Sequence, residues 1–168
     1  MDSFKENAET VIHKTQEKIK KIFKIFDHDD NNTIDVLEFG TVLRALGCAP
    51  SEGEINQLIT ELEEEQSLRI IKLNTMLPKV TKILMERKYK PCSPEKLLKA
   101  FQTLDTEKLG YLTQDQLNKY MTEDGEPFQV EELEEMYSAA IDSEKGCLIY
   151  ENYINLIKVE NEESDEEY

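Results

Sequence analysis

Positive charge, cysteine and histidine are all scarce in this chain, and long hydrophobic runs are missing. Twenty lysines and arginines stand against 36 aspartates and glutamates, a formal net charge of −16 over 168 residues. That imbalance excludes nucleic acid and anionic membrane surfaces as partners, because both would repel the chain, and points to a basic partner instead. No apolar stretch is long enough to span a bilayer, and the opening residues Met1-Asp2-Ser3-Phe4-Lys5-Glu6 contain no apolar h-region. A soluble, intracellular protein is the expectation. The three cysteines, Cys48, Cys92 and Cys147, are odd in number and far apart, which suits reduced thiols with no metal or catalytic role. Neither His13 nor His28 has a recognisable Cys or Ser plus acid constellation around it. The carboxylates gather in runs such as Glu61-Leu62-Glu63-Glu64-Glu65 and Glu131-Glu132-Leu133-Glu134-Glu135, the signature of solvated faces. No enzymatic activity is expected.

The twelve residues 27–38 carry the chemistry. Asp27, Asp29 and Asn31 stand at positions 1, 3 and 5, the Thr33 carbonyl at 7, Asp35 at 9 and a bidentate Glu38 at 12. This spacing wraps the chain around one calcium ion, a hard cation that takes six to eight oxygens in flexible geometry. Position 6, which needs positive φ, holds Asn32 rather than glycine, and asparagine tolerates that conformation best among the other residues. Ile19, Ile22, Phe23 and Phe26 precede the loop at helical spacing, and Phe39, Val42, Leu43 and Leu46 follow it, up to Gly47. Ile34, at position 8, is placed for a short β-bridge to a partner loop.

The flanking stripe recurs three more times. A helix over 51–62 opens with the capping box Ser51/Glu54 and presents Ile55, Leu58, Ile59 and Leu62 on one face. Its loop starts at Glu63 when counted from that helix, or at Glu64 when counted back from the next, where Met76, Val80 and Ile83 face inward. Position 12 is then Asn74 or Thr75, so the carboxylate is missing. A third unit starts at Ser93-Pro94, carries Leu97, Ala100, Phe101 and Leu104, and enters a loop at Asp105 with Gly110 at position 6 and Leu112 at 8. Leu109 at position 5 and Gln116 at 12 remove two ligands. The fourth unit has Leu133, Met136, Tyr137 and Ala140 before its loop, Gly146 and Leu148 within it, and Tyr153, Leu156 and Ile157 after it. Ile141, Lys145 and Asn152 at positions 1, 5 and 12 could not neutralise a divalent cation.

This periodicity predicts an N-terminal extension over 1–9, one lobe over 10–88, a linker over 89–92, a second lobe over 93–158 and an acidic, disordered tail over 159–168. Pro91 interrupts the chain between the lobes and leaves them free to reorient. Loops that keep an apolar framework after losing their ligands supply fold rather than ion binding. Paired units of this kind leave a groove for an amphipathic partner helix. Met76, Met85, Met121, Met136, Phe39, Tyr120, Tyr137 and Tyr153 are the candidates for lining it, with ordinary core packing the alternative for each of them. Only four methionines lie beyond the first residue, which favours one or a few permanent partners over many.

The stretch Glu38-Phe-Gly-Thr-Val-Leu-Arg-Ala-Leu-Gly-Cys-Ala-Pro-Ser-Glu52 is similar to the corresponding part of calmodulin. The segments Ile83-Leu-Met-Glu-Arg-Lys-Tyr89, Lys119-Tyr-Met-Thr-Glu-Asp-Gly-Glu-Pro-Phe128 and Ala139-Ala-Ile-Asp142 resemble, more specifically, the family of dynein regulatory complex subunit 8, over residues 10 to 158. The resemblance implies an all-α, calmodulin-like fold of four EF-hands in two lobes joined by a Pro-interrupted linker. It further implies a place in the nexin link of the axoneme of motile cilia and flagella, within a hetero-oligomeric assembly. There the chain would clasp a helix of a larger subunit, the one with an IQ-type motif and an ATPase domain. Calcium at one site is the expected cofactor, with Asp27, Asp29, Asn31, Thr33, Asp35 and Glu38 as ligands. A free calcium sensor or buffer and a myosin-type light chain are the alternatives.

Overall fold

The computed structural model describes the backbone of residues 2–62 and 69–165, and the side chains of residues 9–62 and 69–157. Among the described residues, helices and three-residue strands alternate as four helix–loop–strand–helix repeats. The first comprises α1 (Asp2–Phe26), β1 (Thr33–Asp35) and α2 (Phe39–Ala45), with one 3-10 turn at Val36–Glu38. The second comprises α3 (Glu52–Leu62), β2 (Ile70–Lys72) and α4 (Leu73–Met85). The third comprises α5 (Pro94–Leu104), β3 (Tyr111–Thr113) and α6 (Gln114–Glu123), and the fourth α7 (Val130–Ala140), β4 (Cys147–Ile149) and α8 (Tyr150–Asp165). The chain divides into two units, Met1–Pro91 and Cys92–Tyr168.

Local chemistry sets the helix ends. Ser51 and Glu54 exchange bonds, with the Ser51 N–H donating to Glu54 Oε2 at 2.9 Å and the Glu54 N–H to Ser51 Oγ at 3.2 Å. Ser93 caps α5 by accepting from the Lys96 N–H, and Pro94 follows where no amide donor is needed. Past α2, Gly47 takes φ +88°, and the Cys48 N–H turns back to the Leu43 carbonyl at 3.0 Å.

Each unit is pinned by one antiparallel strand pair. Ile34 faces Ile71 across β1–β2, and Leu112 faces Leu148 across β3–β4. All four are buried, so the bridges form the floor of each core. In the N-terminal unit Ile19, Phe23, Phe39, Val42, Leu43, Met76 and Val80 close over that floor at no more than 1 % exposure. The C-terminal core is smaller. Phe101, Leu117, Tyr150 and Ile154 are buried, while Leu97, Leu98, Leu104, Met121, Met136, Tyr137 and Tyr153 are only half-buried against them.

Several expectations change. Phe39 and Met76 do not line a groove; both are sealed in the N-terminal core, where a large apolar side chain gains most from leaving water. Ala100 and Leu156 are exposed, and Ile154 takes the inward place on α8, because 150, 154 and 157 share a helical face and 156 does not. Residues 2–9, expected as an extension, are the first turns of α1. The helix before the linker stops at Met85, ahead of Pro91: Arg87 turns left-handed at φ +51°, and the Lys88 N–H bonds the Ile83 carbonyl. Tyr89, expected in the linker, is buried in the N-terminal core and its carbonyl accepts from the Ala49 N–H at 2.8 Å. In the second repeat Ile71 occupies the position-8 place, which settles the count: the loop begins at 64 and position 12 is Thr75. Glu63 and Glu64 themselves lie outside the described residues. Helix α8 continues to Asp165, where a disordered tail was expected from 159, because Glu160, Glu162 and Glu163 favour helix and extend one already nucleated by its packed first turns.

Leu148→Ala should cost the C-terminal unit about 2–5 kcal/mol by emptying the floor of its core. Hydrogen exchange of the full chain should show the loss confined to residues after Pro91, with the N-terminal unit unchanged.

Candidate metal centre

Helix α1 delivers Asp27 to the start of the first loop, and the Asp27 N–H still bonds the Phe23 carbonyl at 3.0 Å, as though the helix ran one residue further. Its carboxylate is buried and collects two loop amides: Oδ1 accepts from the Asn31 N–H and Oδ2 from the Asn32 N–H, both at 3.0 Å. This is possible because Asn32 sits at φ +63°. The same conformation recurs at position 6 of every loop, in Arg69 at +49°, Gly110 at +80° and Gly146 at +65°. Arginine is a poor occupant of this region, so the turn at Arg69 is imposed by the fold around it.

The other candidate ligands stand along the same loop. Asn31 Oδ1 accepts from the Thr33 N–H and hydroxyl, Asp35 Oδ1 accepts from the Leu37 N–H at 2.8 Å, and Glu38 Oε2 accepts from the Asp35 N–H at 3.3 Å. Asp35 and Glu38 therefore form a capping box that begins the next helical turn. Glu38 Oε1 lies 3.0 Å from His28 Nε2. Lys24 pairs with Asp30 and lies 3.9 Å from Asp27 Oδ2. As arranged, no group of three or more His, Cys, Asp or Glu side chains converges to hold a metal among the described residues. In chemistry the donor set fits a hard divalent cation: four carboxylates, one amide oxygen and one carbonyl.

The third loop repeats these bonds without the ligands. Asp105 Oδ1 accepts from the Leu109 N–H at 3.0 Å and Oδ2 from the Gly110 N–H at 2.7 Å. Thr113 and Gln116 reproduce the capping box. Gln116 thus keeps the cap that a glutamate would make while giving up its charge. Asp105 has a partner its counterpart lacks: the Tyr150 hydroxyl, from the fourth loop, donates to Oδ2 at 3.1 Å in the buried interior. Burial opposes ionisation of Asp105, yet the Leu109 and Gly110 amides and the Tyr150 hydroxyl outweigh it and hold the carboxyl below its ordinary value. Burial, and then this carboxylate, push the Tyr150 hydroxyl up. In the fourth loop, where Ile141 stands at position 1, Asp142 takes over as collector and accepts from the Glu144 and Lys145 amides.

The six ligand candidates share one twelve-residue segment by sequence, and the structure spreads them along the loop, β1 and the turn at Val36–Glu38 without drawing their carboxylates together. Sequence reasoning missed the His28–Glu38 contact and the Tyr150–Asp105 bond. Position 2 is an exposed turn site, and nothing in the spacing of Asp105 and Tyr150, 45 residues apart, announces their meeting.

Paired helical hairpins joined by a β-bridge, with a calcium-type loop in the first, define a calmodulin-like EF-hand protein. An EF-hand domain family matches residues 18–47. The fold is shared with the Physarum polycephalum myosin II regulatory domain, at TM-score 0.64 and 25% identity, over 84% of this chain and 92% of that one. Dynein regulatory complex protein 8 of Mus musculus is 48% identical over 155 residues, 92% of this chain and 94% of the relative. Dynein regulatory complex protein 8 of Homo sapiens is 50% identical over 116 residues, 69% of this chain but 43% of that longer relative. The chain belongs to the dynein regulatory complex protein 8 family.

Because its folded carboxyl titrates below the ordinary 3.8, Asp105 adds stability that is complete above that pH and fades as the pH falls towards the folded value. Acid unfolding of the C-terminal unit should lose this component in Asp105→Asn, and Tyr150→Phe should lower its thermal midpoint by a few degrees. Arg69→Gly should stabilise the N-terminal unit by up to about 1 kcal/mol in urea titration, since glycine accepts the left-handed turn without strain.

Proposed function

We propose that this protein is a non-catalytic structural and regulatory subunit of a dynein regulatory complex in the axoneme of motile cilia and flagella. It clasps a helix of a larger subunit, the one with an IQ-type motif and an ATPase domain, and takes one calcium ion in its first loop. One observation carries the reading. The third and fourth loops keep the strand pair, the left-handed sixth residue and an amide-collecting aspartate, although their sequences lack the ligand set. A framework kept without its ion points to a second polypeptide as what it holds. Membership of the dynein regulatory complex protein 8 family supports the assembly and the axonemal location in this reading.

In the first loop, Asp27, Asp29, Asn31, Asp35, Glu38 and the Thr33 carbonyl would hold the ion, which would neutralise carboxylates crowded into one turn. Asp27 orients the loop amides, and Glu38 links the loop to α2. Its capping bond to Asp35 and its contact with His28 mark the arrangement that binding would have to rearrange. The reading as a free sensor rests on this same loop. It differs in requiring a soluble pool without a stable partner.

Calorimetry of the purified chain should detect a single calcium site, in the range of about 10⁻⁷–10⁻⁵ M for sensor-type loops, and Glu38→Gln should abolish it. No heat up to millimolar calcium would remove the ion from this reading and leave the clasp. Affinity purification from axonemes should recover the chain with other regulatory-complex subunits in calcium chelator; recovery mainly as a free soluble protein would overturn the clasp.

A further inference from the structure

The net charge is not shared between the two units. Met1–Pro91 holds 14 lysines and arginines against 16 aspartates and glutamates, net −2; Cys92–Tyr168 holds 6 against 20, net −14. In the N-terminal unit, pairs such as Arg44–Glu52 and Lys79–Glu61 take up acidic side chains. In the C-terminal unit, bases of its own cannot match 14 of the 20 acids. Half-buried apolar side chains flank both cores, but they outnumber the buried ones only in the smaller C-terminal core, where Leu97, Met121, Met136, Tyr137 and Tyr153 stand among them. Among these stands one unmet polar atom. The Tyr137 hydroxyl is shielded from solvent and finds no hydrogen-bond partner among the described residues. A buried donor without an acceptor destabilises the arrangement that confines it, and so favours any rearrangement that brings an acceptor to it.

We propose that the C-terminal unit is the docking unit of this chain for a basic amphipathic helix, and that Tyr137 is its polar specificity determinant, donating a hydrogen bond to an uncharged acceptor side chain set among the helix's apolar anchors. This deepens the clasp reading and rests on it. Acidic surroundings attract the basic face of the helix, and the half-buried apolar side chains receive its other face. Burial, with Asp115 nearby, keeps the Tyr137 hydroxyl protonated and able to donate. Calcium has no part in this docking, because Leu109 and Gln116 in the third loop, and Ile141, Lys145 and Asn152 in the fourth, stand where a divalent cation needs oxygen ligands.

The test uses the full chain, in excess calcium chelator, with 20-residue Leu/Lys amphipathic peptides. One set carries a single Gln walked through four apolar positions, and its control carries Leu at all of them. Binding that weakens with added salt, and lysine–carboxylate crosslinks that fall after Pro91, are expected. At one Gln position Tyr137→Phe should weaken binding roughly two- to tenfold, the range of one net hydrogen bond, and should leave the all-Leu peptide unaffected. The free Tyr137→Phe chain should be at least as stable as the parent, because the deleted hydroxyl has no partner. Crosslinks concentrated before Pro91, or a Tyr137→Phe effect equal for Gln and Leu peptides or absent from both, would overturn this inference while the clasp survives. Failure of every peptide to bind at low salt would overturn the clasp as well.

Discussion

Two buried residue pairs, Ile34 with Ile71 and Leu112 with Leu148, are the contacts on which everything else in this protein depends. Three-residue strands are far too short to persist alone, and their few ladder bonds survive only because the central side chains are driven out of water. Once the pairs form, the two loops of each unit lie side by side. The helices on either flank must then lean over the same apolar floor. The left-handed sixth residue follows from this, since each chain has to turn sharply just before its strand, and even Arg69 is forced into that turn.

The loop chemistry is economical because single residues serve two purposes. Asp27 and Asp105 both gather the amides of positions 5 and 6, and the residues at positions 9 and 12 form a capping box in both loops. These bonds hold the loop whether or not a cation is coordinated. Loss of the ligands at Leu109 and Gln116 therefore leaves the third loop intact. Tyr150, reaching Asp105 from the neighbouring loop, adds a bond inside the C-terminal unit that ties its two hairpins together. A fold organised in this way can drop ion binding one loop at a time.

Much of this was legible in the sequence. The periodicity of Ile19, Phe23, Phe39, Val42 and Leu43 marked a hairpin, and the position-8 residues Ile34, Leu112 and Leu148 marked the strand pairs. The ligand candidates were fixed by spacing alone. Less legible were the places where competing apolar side chains were sorted: Met76 and Phe39 carried both a groove reading and a core reading, and their burial is that of the core. The end of α4 was not legible, because the left-handed turn at Arg87 and the docking of Tyr89 depend on the packed lobe beneath them.

What the sequence by itself determined is local: the oxygen-bearing positions of residues 27–38, the caps at Ser51 and Ser93, the helical stripes and the acidic excess, because each is set by residues a few positions apart. Only the tertiary structure decided that Tyr150 bonds Asp105, that His28 meets Glu38 and that the Tyr137 hydroxyl is left without a partner among the described residues. Two of these join or isolate groups in hairpins far apart in sequence, and the third turns on how one loop bends; in each case the outcome rests on the shape of the packed unit, which neighbouring residues do not encode.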